Sequence, residues 1–140
     1  MRKRVLILAN SASGLYDFRN ELLLRLLKEY EVHVSLPDAD KVPALCEEGC
    51  IIHSISLERR GMNPFKDSKL MLAYLKLIKS VSPDVVLTYT IKPNIYGSLC
   101  CRLHRIPYIV NITGLGSVFE DGGLLQKLVV CLYRVALKGA

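Results

Sequence analysis

No apolar run in this 140-residue chain reaches the roughly 18–20 residues that cross a bilayer. The basic start "MRKR" before an apolar stretch imitates a secretory leader. However, "VLILA" is shorter than the roughly 7–15 residues of a leader core, so it reads as a first β-strand and a cytoplasmic location is expected. Cysteine occurs five times, at Cys46, Cys50, Cys100, Cys101 and Cys131, in an odd number and never as CxxC. That argues against a disulfide framework and for small reduced thiols. Cys46 and Cys50 can share a helix face, but no His or acid is spaced to complete a metal site with them. The GxGxxG fingerprint of dinucleotide binders is missing, which counts against a nicotinamide-dependent dehydrogenase. No Ser/His/Asp or Cys/His constellation stands out, and there are no internal repeats.

A single sign of charge is in excess. Nineteen Lys and Arg against thirteen Asp and Glu leave a net +6. The cations are spread in ones and twos, and no aromatic-rich basic strand runs among them, so nucleic acid ranks last among anionic partners. An anionic membrane surface and a phosphorylated substrate remain.

Short apolar runs alternate with helical patterns. Strands are expected at 4–9, 31–37, 50–57, 84–89 and 107–112, and helices at 16–30, 38–49, 63–80, 93–105 and 124–138. Asn63 and Pro64 mark a capped helix start. Such alternation, with near-continuous hydrophobic strands, predicts an α/β Rossmann-like doubly wound parallel sheet, one domain of order 3-2-1-4-5. On the wheel of 63–80, Lys66, Lys69, Lys76 and Lys79 oppose the apolar half. On 124–138, Gln126, Lys127, Arg134 and Lys138 fill about a third and everything else is apolar. A helix that apolar is expected to have partners on two sides, as in a piece of a larger assembly.

In this topology ligands bind beyond the strands' carboxyl ends. Three small, polar loops converge there: "NSASG" (10–14), "TIKPN" (90–94) and "TGLGSVFED" (113–121). Each leads into a helix N-terminus that favours an anion. The candidate substrate-binding residues are Asn10, Ser11, Ser13, Gly14, Arg19, Thr90, Lys92, Asn94, Thr113, Gly114 and Gly116. Arg19, read as first-turn, suits its own helix dipole poorly and so implies an anionic ligand or an acid partner. Lys92 adds a full charge. Asp17, Glu120 and Asp121 read as helix-capping acids. His33 and His53 read as packing residues at the core's edge, and His104 as a solvated helix end.

The run "T-x-K-P-N-x-Y-G" in 83–119, followed by "I-P-x-x-x-x-x-T-G-L-G" and preceded by "LYDFRNELLLRLLKEYEVHVSLP" (15–37), resembles the N-terminal half of family-4-type bacterial glycosyltransferases of capsule, O-antigen or lipid-linked glycan assembly. The likeness covers nearly the whole chain. It implies one half of a two-domain GT-B enzyme of retaining chemistry, with the acceptor on this side and most nucleotide-sugar contacts in a C-terminal domain that this chain lacks. The nucleotide-sugar is then a substrate, and no cofactor or metal is implied. Asn10, Ser11, Ser13 and Gly14 would face the donor diphosphate, Lys92 and Asn94 the acceptor, and Thr113, Gly114 and Gly116 the reacting sugar. No histidine stands in the loop after strand five, where some relatives have one, so no catalytic base is named and the chain alone is expected to be inactive. Alternatives are half of a sugar-nucleotide epimerase, or a non-catalytic acceptor-binding subunit of a two-protein transferase. The epimerase reading lacks the "GD" and "HVEAG"-like loops. The basic balance suits an anionic leaflet, with the lysine face of 63–80 as one docking surface.

Overall fold

The computed structural model describes residues 1–37, 40–114, 119–120 and 122–140. Five parallel strands, β1 (Arg4–Leu8), β2 (Glu31–Leu36), β3 (Ile51–Ser54), β4 (Val85–Tyr89) and β5 (Tyr108–Asn111), lie in the order β3-β2-β1-β4-β5. The helices are α1 (Ala12–Glu29), α2 (Val42–Glu47), α3 (Pro64–Val81), α4 (Ser98–His104) and α5 (Leu124–Leu137), with a π-helical turn, Pro93–Gly97, running directly into α4.

Both sheet faces are covered, which is why the strands are apolar almost throughout. Val5, Ile7, Val32, Val34 and Leu87 pack with Leu15 and Leu23 of α1 and Leu45 of α2. Their neighbours Leu6, Leu8 and Val86 face the opposite layer, with Leu70, Tyr74 and Ile78 of α3 and Cys100 and Cys101 of α4. Burial of these side chains contributes about 1.5–3 kcal/mol each and is the main force holding the layers.

Several expected ends and caps differ in the structure. Helix α1 starts at Ala12, not residue 16, because extended Ser11 caps it: its Oγ accepts the Gly14 N–H at 3.2 Å. The acid in "YDF", Asp17, therefore lies in the second turn and caps nothing. Strand β3 stops at Ser54, not 57, because β2 ends at Leu36, whose carbonyl accepts the Ile55 N–H at 3.0 Å and leaves nothing beyond to pair with. Glu120 does not cap α5, since Gly122 and Gly123 (φ +67° and +87°) intervene and Gly123 is the N-cap. Asp121 lies outside the described residues. The expected cap does form on α3, where Asn63 Oδ1 accepts the N–H groups of Phe65 and Lys66.

Gly97 is required by a close approach. A Cβ there would meet Leu8 Cδ1 at 2.6 Å and Thr88 Cγ2 at 3.1 Å. The π-helical turn thus lies hard against β1 and β4, and it is this contact that fixes the loop after β4.

Candidate active site

Strand order reverses between β1 and β4, which pair with Leu8 opposite Thr88. Just beyond their carboxyl ends, Asn10 and Thr90 form the wall between two clefts and line both.

The larger cleft, about 300 Å³, is bordered by Ser11 and Gly14 from the start of α1, by Phe18 and Arg19, by Tyr89 and by Thr113 from beyond β5. It is built on a long helix N-terminus, whose dipole favours negative charge. Arg19 is the eighth residue of α1 rather than a first-turn residue, so the expected conflict with its own helix dipole is absent. It still supplies the cleft's cation: its Nη1 donates to the Phe18 carbonyl at 3.2 Å, and its guanidinium lies 5.9 Å from the Tyr89 ring centroid. Among the described residues it has no carboxylate partner. Of the two expectations for Arg19, an acid partner is not found among the described residues. Burial pushes the Tyr89 hydroxyl above its ordinary range despite that cation, so it stays a neutral group beside the cleft.

Thr90 is the strained member. Its φ is +73°, unusual for a β-branched residue, and its buried Oγ1 has no protein partner. Backbone held this way costs about 1–3 kcal/mol and gathers at functional sites. What holds it is the π-helical turn, whose Asn94 N–H donates to the Thr90 carbonyl at 2.9 Å.

The smaller cleft, about 130 Å³, mixes apolar walls (Leu57, Met62, Ile91, Leu125, Val129) with Arg59 and Lys92. Lys92 does not bring the uncompensated charge that the sequence suggests. It is only 6% exposed, and its Nζ donates to Asp67 Oδ1 at 2.7 Å. The Tyr96 hydroxyl donates to Asp67 Oδ2 at 3.0 Å, and burial with that carboxylate raises the Tyr96 pKa. Lys92, Asp67 and Tyr96 thereby tie α3 to the loop after β4.

The remaining candidates disperse. The Ser13 hydroxyl bonds Asp40 Oδ2 at 2.9 Å. Asn94 is fully buried, its Nδ2 donating to the Asn111 carbonyl and to Tyr133 Oη of α5. Gly114 faces open space, and Gly116 lies outside the described residues. The structure thus brings Asn10, Ser11, Gly14, Arg19, Thr90 and Thr113 around one cleft. Sequence reasoning missed Tyr89, Phe18, Arg59 and Asp67. Asp67 left a signal, since on the wheel it falls inside the apolar half of α3, where an acid needs a buried partner. Among the described residues no group of His, Cys, Asp or Glu could hold a metal ion.

Comparison with known proteins agrees with this architecture. The chain is 27% identical over 143 residues to the N,N'-diacetylbacillosaminyl-diphospho-undecaprenol alpha-1,3-N-acetylgalactosaminyltransferase of Campylobacter jejuni, with 98% of this chain and 38% of the relative covered. It thus spans about two fifths of that protein. Among solved structures, Acinetobacter baumannii MurG superposes with a TM-score of 0.63 at 18% identity, over 94% of this chain and 40% of MurG. A UDP-N-acetylglucosamine 2-epimerase from Listeria monocytogenes gives 0.64 at 16% identity, over 97% and 38%. Both structures share the Rossmann-like fold seen here, one half of a GT-B architecture. Residues 4–140 match the family described as glycosyl transferase 4-like, and the chain belongs to that family.

Proposed function

We propose that this chain is the acceptor-side domain of a retaining glycosyltransferase, which moves a sugar from a nucleotide-sugar to a lipid-linked saccharide. The observation that carries the reading is the larger cleft, which Arg19, with no carboxylate partner among the described residues, lines together with Ser11 and Gly14 from the start of α1 and with Thr113. A glycosyl donor leaves a diphosphate behind as its sugar becomes oxocarbenium-like. Donors and cations fixed where that charge develops are what such a step needs. The capping hydroxyl of Ser11, the dipole of α1 and the Arg19 guanidinium offer part of that set. Asn10 and Thr90 would separate the diphosphate from the smaller cleft, whose apolar wall suits the linker end of a lipid-linked acceptor. The nucleotide-sugar is a substrate in this scheme and no resident cofactor takes part. Family membership and the lipid-linked substrate in the C. jejuni relative's name support the reading. In this proposal the rest of the donor site belongs to a second, C-terminal domain, and no residue of this chain is assigned as the catalytic base.

Calorimetry with UDP-sugars tests the division of labour. These 140 residues should bind with a Kd weaker than about 1 mM, roughly −4 kcal/mol. Micromolar binding by this domain alone would overturn it. In a full-length transferase carrying this domain, Arg19→Ala should lower kcat/KM by about 10²-fold, as loss of one charge-stabilising donor does elsewhere.

A further inference from the structure

We propose that Asp67 is a positioning residue for the two clefts: its carboxylate grips the turn after β4 and so keeps Thr90 in its left-handed conformation. Asp67 lies in the first turn of α3, is 5% exposed and lines neither cleft. The dipole of α3 favours a carboxylate there. One of its oxygens accepts from Lys92 Nζ at 2.7 Å and the other from the Tyr96 hydroxyl at 3.0 Å. Lys92 and Tyr96 are four residues apart and share one side of the turn, while Asn94, between them, faces the other side. There Asn94 Nδ2 reaches the Asn111 carbonyl and Tyr133 Oη. The turn is therefore held from both sides. Gly97 sets its distance from the sheet, and these side chains set its rotation. Thr90 enters the turn at φ +73°, its carbonyl accepting the Asn94 N–H at 2.9 Å.

Stability alone does not call for an ion pair at this place. Both charges lose their water, so a buried pair gains little over well-packed apolar side chains of the same volume. What apolar side chains reproduce poorly is direction. Two carboxylate oxygens define where the ends of residues 92 and 96 sit, whereas aliphatic groups keep a layer closed in more than one arrangement. Thr90 is two residues before Lys92 and inherits that placement. A β-branched residue would leave a positive φ as soon as the turn could rotate. Because Thr90 lines both clefts, Asp67 shapes them without touching either. The consequence for sugar transfer rests on the transferase reading, whereas the control of Thr90 does not.

The backbone scalar couplings of Thr90, read by NMR on this chain, are the direct test. They should report the left-handed conformation in the native protein. Tyr96→Phe removes only the hydroxyl and should move them towards the extended range. Lys92→Met with Asp67→Leu should regain most of the melting temperature lost by Lys92→Met alone, yet move the couplings further. Native couplings in either variant, once circular dichroism shows it folded, would overturn the proposal; if the double variant does not fold, Tyr96→Phe decides. In a full-length transferase carrying this domain, Tyr96→Phe should lower kcat about tenfold and leave KM for both substrates within about twofold, because alignment rather than binding is lost. Glycine takes positive φ without strain, so in a Thr90→Gly background the same change should cost less than about twofold. Equal losses in the two backgrounds would overturn the proposal by showing that Tyr96 acts other than through Thr90, and so would a loss confined to KM. A native enzyme that transfers no sugar would sink the transferase reading, while the couplings would still decide the role of Asp67.

Discussion

Cys100 and Cys101 are consecutive in a helix and fully buried. Burial pushes both thiols up to about 12, with Cys100 adding to the rise at Cys101, and pushes Cys50, beside Glu48, to about 11. Because the thiolate is the reactive form, dithionitrobenzoate should release two equivalents from the native protein, from Cys46 and Cys131, and five after denaturation. A third fast thiol in the native state would mean that the core around Cys50 or around α4 opens readily. The sequence indicated reduced thiols but not which two face water. For Lys92 it suggested an added charge at the candidate site. What cancels that charge is Asp67, twenty-five residues earlier in the chain, a pairing that exists only once α3 lies over the loop after β4. Thr90 was legible as a loop residue, yet its left-handed backbone was not, since nothing in a threonine asks for positive φ.

At the scale of elements, periodicity located every strand and helix that the structure describes, and the errors fell at ends decided by neighbours. Helix α1 gained a turn because Ser11 could cap it, and β3 lost its tail when β2 ran out of carbonyls. The π-helical turn had no period of its own to read. It is held by Gly97 against the sheet, by Asn94 across to β5 and α5, and by Asp67 gripping Lys92 and Tyr96. Removing one member of a buried ion pair leaves the other unpaired. Lys92→Met should therefore destabilise by about 3–5 kcal/mol, while Lys92→Met with Asp67→Leu should recover much of that loss. Urea titrations of the two single variants and the double variant measure the coupling; additive losses would show that the pair does not act as a unit.

For the molecule as a whole, stability should fall in mild acid. His53 Nε2 and His33 Nδ1 lie 2.9 Å apart with stacked rings, and His33 Nε2 contacts Glu31 Oε1 at 2.8 Å. Burial, with the neighbouring His33 as a lesser cause, lowers the His53 pKa below its ordinary 6.5. The unfolded chain then binds more protons than the folded one just below that value, so stability is full above about pH 6.5 and declines as pH drops through the lowered folded value. Glu31 is lowered as well, first by its hydrogen bond to His33 and then by Arg4, so its contribution persists above its ordinary value of 4.5 and is lost only in stronger acid. Melting temperature against pH should show the first decline near neutrality in the native protein and a flatter profile in His53→Gln. An unchanged profile in that variant would locate the decline elsewhere.

The residues by themselves determined the doubly wound parallel sheet, the strand order, the loops that meet at its carboxyl edge and the family resemblance. Those rest on local periodicity, short connections and chain handedness, all of which are written along the chain. Only the tertiary structure decided which loop residues share a cleft, that Arg19 has no carboxylate partner among the described residues and that Lys92 is neutralised. Each depends on what approaches a side chain through space, and the balance between burial and exposure is set only when the layers close.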